Sequence, residues 1–159
     1  MLWYKLVGAG LLLGSGAWAA RRVNQTSMRA LEELEAWQAM IRYVKAQVDC
    51  FSLPIGAILA RASPALLLAC GWREANAPAD LRTLLARCAV RDGEGRALLF
   101  DFCEAFGKRY REEESRGCDA TLALLGARIE RLRTALPNQR RLCSTLWLSG
   151  SLAAVILLI

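Results

Sequence analysis

Two long uncharged stretches bracket a helically patterned middle in this chain. Leu142–Ile159 holds 18 residues without a charged side chain, and Leu6–Ala20 holds 15 more. Both read as membrane spans, placed at 1–20 and 142–159, with 21–141 as the domain they carry. The first run is short, because 15 residues rise only about 22 Å against a hydrocarbon core of about 30 Å. Met1–Tyr4 extend it, with Lys5 snorkelling and Trp3 and Tyr4 at the interface. Gly10-x-x-x-Gly14, Gly16-x-x-x-Ala20 and Gly150-x-x-x-Ala154 leave small faces; these either pack against another helix or reflect chance spacing.

Between the spans, apolar residues recur at helical intervals. From Ser27 to Val48, Leu31, Leu34, Trp37, Ile41, Val44 and Val48 form one stripe, with Arg29, Glu32, Glu33 and Arg42 largely opposite. Ser52 is placed to cap a short helix with Pro54 in its first turn and Ile55, Ile58 and Leu59 facing inward. Ser63-Pro64 repeats that start signal ahead of Leu66–Cys70, and Gly71 supplies a stop. Asn76-Ala77-Pro78 reads as the opening of a helix carrying Leu81, Leu84, Leu85 and Cys88, and Asp92-Gly93 reads as a turn. Leu98, Leu99, Phe102, Ala105 and Phe106 line a further helix ending near Gly107. A last helix, from about Arg111 to Ala135, carries Cys118, Leu122, Leu125, Ile129 and Leu132 before Pro137 interrupts it. No segment alternates strictly enough for a half-buried strand. The pattern predicts an all-α fold: a helical bundle domain flanked by N- and C-terminal transmembrane helices.

Charge then assigns a side. Of the 21 Lys and Arg residues, only Lys5 lies outside 21–141. Arg21 and Arg22 abut the inner end of the first span, and Arg140 and Arg141 that of the second, so all four are expected at the membrane interface with the domain in the cytoplasm. A cleavable signal peptide, with Ala17-Trp18-Ala19 as its processing site, is the rival reading of the first span. It would leave Arg140–Arg141 on the wrong side of the second span and six cysteines without paired spacing in an oxidising space. The net charge of +6 comes largely from these anchors. Arg128, Arg131 and Arg133 join Arg140 and Arg141 as candidates for anionic head groups, and no basic surface or aromatic platform for nucleic acid is evident.

Candidate chemistry is sparse. The chain has no histidine, which removes the usual general base near neutral pH and the commonest metal ligand. Cysteines 50, 70, 88, 103, 118 and 143 never form C-x-x-C, and no phosphate loop can be read. No catalytic, cofactor-binding or metal-ligating residue is expected, and the chain does not read as an enzyme. Most of the cysteines read as small core residues. Cys118, between Gly117 and Asp119, is the one candidate for a reactive thiol. Lys108, Arg109, Arg111, Glu112, Glu113 and Glu114 make a compact polar corner between two helices, readable as a partner site or as a capped turn. Its acidic triplet suits a helix N-terminus, or docks a basic partner.

Several of these features, in this order, resemble the stage III sporulation protein AB family of endospore-forming bacteria. They are the short first span with Arg21-Arg22, the long helix with Ile41-Arg42-Tyr43, and the start Leu53-Pro54-Ile55. Phe102-Cys103-Glu104-Ala105-Phe106-Gly107, then Tyr110-Arg111-Glu112-Glu113, and a basic segment entering a terminal apolar helix complete the set. Lys108 and Arg109 stand where that family often has a Leu-Gly pair. The resemblance implies a domain similar to those of the type II secretion inner-membrane platform protein F, located in the outer forespore membrane of the mother cell. It implies a scaffold in the secretion-like channel complex between mother cell and forespore, coupling the cytoplasmic ATPase stage III sporulation protein AA to the other complex members. Association of the chain with itself is left open. An unrelated membrane-anchored helical interaction protein and a thiol redox sensor are the alternatives.

Overall fold

Among the described residues the helices follow in chain order: α1 (Leu2–Cys50), α2 (Ile55–Ala60), α3 (Pro64–Ala69), α4 (Leu81–Arg87), α5 (Gly93–Ala105) and α6 (Arg111–Leu158). The computed structural model describes residues 25–51 and 53–135 with their side chains. The expected spans 1–20 and 142–159, Arg21, Arg22, Arg140, Arg141, Ser52, Cys143 and the interruption at Pro137 lie outside these residues. Among the described residues there is no strand, and no helix is long and apolar enough to cross a membrane. Arg29–Arg131 forms one compact unit, and Met1–Met28 with Leu132–Ile159 forms another.

The Arg29–Arg131 unit is an all-α bundle built on the predicted stripes. Leu34, Trp37, Met40, Ile41 and Val44 of α1 are fully shielded, one face of a helix whose i, i+3, i+4 and i+7 positions coincide. Against them stand Leu84 of α4, Leu99 of α5, and Cys118 and Leu125 of α6, all likewise at 0% exposure. The first and last helices run antiparallel. Lys45 pairs with Asp119 at 2.6 Å, while Gln38 lies beside Gly126, so numbers fall on α6 as they rise on α1. Gly95 lets α5 approach α1 closely: a Cβ there would collide with Leu34 Cδ2. Any side chain at that position would displace a fully buried neighbour.

Helix ends follow partly from the sequence signals. Ser63 Oγ accepts from the Leu66 N–H with Pro64 in the first turn, and Gly71 stops α3 with φ of 101°. Three expectations at helix starts and turns are corrected. Pro54 precedes α2 as its cap residue instead of lying in the first turn, its carbonyl accepting from Ala57 and Ile58. Asn76-Ala77-Pro78 is a loop, because the Trp72 indole donates to the Asn76 carbonyl at 2.8 Å, and Asp80 caps α4 through the Thr83 N–H. Asp92-Gly93 is not a free turn but the start of α5, with the Asp92 carboxylate accepting from the Gly95 N–H at 2.7 Å.

Candidate functional site

The α5–α6 junction carries the polar corner. Gly107 leaves α5 with φ of 84°, a backbone turn that favours glycine, and the chain re-enters helix at Arg111. Glu114 then reaches back: its Oε1 accepts from the Gly107 and Arg109 N–H groups, both at 2.9 Å. Only 8% of Glu114 is exposed. Its carboxylate thus fixes the turn from inside, and it does not join an exposed partner surface. Lys108 pairs with Glu104 at 3.1 Å, and the Arg111 guanidinium donates to the Asp49 carbonyl, tying the start of α6 to the end of α1. Arg109, Glu112 and Glu113 face solvent, and Tyr110 is 85% exposed. The acidic triplet occupies the first turn of α6, where the unpaired helix N–H groups favour negative charge.

Beside this corner runs a groove that the sequence pattern did not reveal. Leu98 and Phe102 of α5, with Phe106 just after it, face Gly117, Ala120 and Leu124 of α6 across a cleft of about 260 Å³. Asp101, Arg109 and Glu113 also line it, so the polar corner and the apolar cleft are continuous. Leu124 remains 54% exposed. The signal was present at Gly117 and Ala120, small residues on a helix face where the neighbouring turns carry Leu122, Leu125 and Ile129. Only the placement of α5 turns them into a wall.

Ion pairs elsewhere hold the bundle together. Arg128 was grouped with the membrane-facing arginines by its position, but it points into the domain. Its Nε and a terminal nitrogen contact the two Asp92 oxygens at 3.0 and 2.7 Å, and Glu94 lies 2.6 Å away. These bonds from Arg128, with the Gly95 N–H, hold the Asp92 carboxyl below its ordinary value. Glu33, expected on the solvent face of α1, instead receives both the backbone N–H and the guanidinium of Arg91. Arg82 and Lys108 share Glu104, while Arg87 meets Glu74 at 3.2 Å on the surface.

The thiol reading of Cys118 is corrected. Cys118 is fully buried, and desolvation, with Glu114 and Asp119 nearby, pushes its thiol up to about 12. Burial pushes Cys70 and Cys103 up to about 12 and Cys88 up to about 11. Such groups at neutral pH carry roughly a hundredfold to a thousandfold less thiolate than an ordinary cysteine, and the thiolate is the reactive form. Under native conditions iodoacetamide should therefore label exposed Cys50 and leave Cys118 unmodified, as read by peptide mass mapping. Rapid native labelling of Cys118 would contradict this packing. Among the described residues no group of three or more His, Cys, Asp or Glu side chains could hold a metal ion. No protein-family model, no curated protein and no solved structure matches the chain.

Proposed function

We propose that the chain is a membrane-anchored helical scaffold, with the bundle in the cytoplasm and an apolar helix at each end of the chain crossing the bilayer. The observation that carries this reading is the pairing of two uncharged stretches with Arg21–Arg22 and Arg140–Arg141 at their inner ends.

On the resemblance to the stage III sporulation protein AB family, the scaffold serves the channel complex between mother cell and forespore. There it couples the ATPase stage III sporulation protein AA to the membrane components. Arg109, Glu112 and Glu113 are the exposed charges of the α5–α6 corner and would provide the contact. Such a role needs rigid packing and a recognition surface, with no chemistry of its own.

Protease accessibility in intact cells and in inverted vesicles tests the arrangement. The bundle should survive protease added to cells and be digested in inverted vesicles. Digestion in intact cells, or a mature chain beginning after residue 19, would overturn it. Co-purification from sporulating cells tests the partner: the ATPase should be recovered with wild-type protein and be lost on reversing Glu112 and Glu113 to lysine.

A further inference from the structure

We propose that the cleft between α5 and α6 receives a basic amphipathic helix from a partner protein, two to three turns long. The proposal deepens the scaffold reading above by giving the chemistry of one partner, and it rests on that reading only in taking the partner to be a protein.

Three observations carry it. The first is shape. From Leu98 to Ala105 the α5 wall extends about 10 Å, and from Gly117 to Leu124 the α6 wall about 10 Å, at 1.5 Å per residue. That is the reach of two helical turns, enough for apolar anchors at i, i+3 or i+4, and i+7. Leu124 stays half exposed at the lip, an apolar side chain left for another surface to cover.

The second is Gly117. Glycine within a helix is a net loss relative to alanine. A glycine that the fold itself requires normally shows a reason, as Gly95 does against Leu34. A Cβ on Gly117 would meet nothing within 4 Å, so the packing of the bundle does not call for its absence. Its backbone forms part of the groove wall, where lacking a side chain lets a second helix come close.

The third is charge. Asp101 on α5 and Glu113 on α6 edge the groove from opposite sides, both exposed, and among the described residues neither has an ion-pair partner. The other acid of the lining, Glu114, is turned inward onto the Gly107 and Arg109 N–H groups. Two unpaired carboxylates flanking an apolar strip complement lysine or arginine on both flanks of an apolar stripe. Arg109, at the end where α5 turns into α6, suits the carbonyl end of the incoming helix.

The test uses the full-length protein in its own cells, with a benzophenone amino acid at Leu124. Light should join it to a segment of another protein whose sequence shows a helical apolar stripe flanked by Lys or Arg. Gly117→Leu should cut the cross-linked product at least tenfold without lowering the thermal midpoint, since its Cβ enters open space. Asp101→Lys with Glu113→Lys should cut it similarly. Cross-linking to lipid, to a second copy of this chain or to an acidic segment would overturn the proposal, as would no product at all. If the partner co-purifies undiminished with Gly117→Leu, the groove assignment fails while the scaffold reading stands. Digestion of the bundle in intact cells removes the scaffold reading without touching the groove result.

Discussion

Replacing Trp37 with alanine should lower the stability of the bundle by about 3–5 kcal/mol, the range for deleting a large aromatic from a packed core. Trp37 is the largest fully buried side chain among the described residues, set midway along the α1 stripe between Leu34 and Ile41. Its removal leaves a void at the centre of one face, and the surrounding helices are tied by ion pairs that resist collapse. Trp37 also carries an unusual cost, because its indole Nε1 is buried with no hydrogen-bond partner among the described residues. A buried unpaired donor costs about 1–3 kcal/mol. Trp37→Phe removes that donor together with one ring, so the two effects oppose, and its net change should stay within about 1 kcal/mol. Thermal unfolding followed by circular dichroism distinguishes the two variants. Equal losses for phenylalanine and alanine would show that the indole N–H is satisfied in solution.

Asp92→Ala should cost about 2–3 kcal/mol. About 1 kcal/mol comes from the lost cap on α5. The rest comes from charge-assisted bonds to Arg128, worth about 1.5–3 kcal/mol when both ends are shielded and less here, because Arg128 keeps Glu94. At about 4–8 °C per kcal/mol for a domain of this size, the midpoint should fall by roughly 10–20 °C. The effect has a pH signature. Because the folded Asp92 carboxyl lies below its ordinary value of 3.8, its contribution is complete above that value and is lost as pH falls through the depressed folded one. Asp92→Asn keeps the cap oxygen and discards the charge, so its deficit against wild type should be constant above pH 5 and shrink in stronger acid. A deficit that grows on acidification would contradict the pairing.

The helical faces could be read directly from the chain, because α1, α4 and α6 bury residues at strict 3.6 spacing. Leu31, Leu34, Trp37, Ile41 and Val44 need no long-range knowledge to be placed inward. Local start and stop chemistry was equally visible at Ser63-Pro64 and Gly71. The missed features depend on how the chain folds back on itself, over a few residues at Glu114 and over 36 at Asp92. Asp-Gly signals a turn or a helix cap equally well, and Arg128, 36 residues away, accompanies the second outcome. Glu114 looks like one of three solvent acids until the turn before it folds back onto its carboxylate. Cys118 sits between polar sequence neighbours, yet on a helix its true companions are Leu122, Leu125 and Ile129. Of the polar corner, the proximity of Lys108 through Glu114 was legible, and the apolar cleft beside it was not, since it needs the angle at which α6 folds back along α5.

The antiparallel seam between the first and last helices has a consequence for biogenesis. Lys45 and Asp119 are 74 residues apart, so the buried face of α1 is synthesised long before α6, the last helix to pack on it. At about 5–20 residues per second, ribosomes leave that surface incompletely covered for about 4–15 s. During this interval the nascent chain presents a wide greasy strip to every other unfinished polypeptide nearby, and closing so large a loop is itself slow. Shielding of that strip until α6 emerges would favour correct packing.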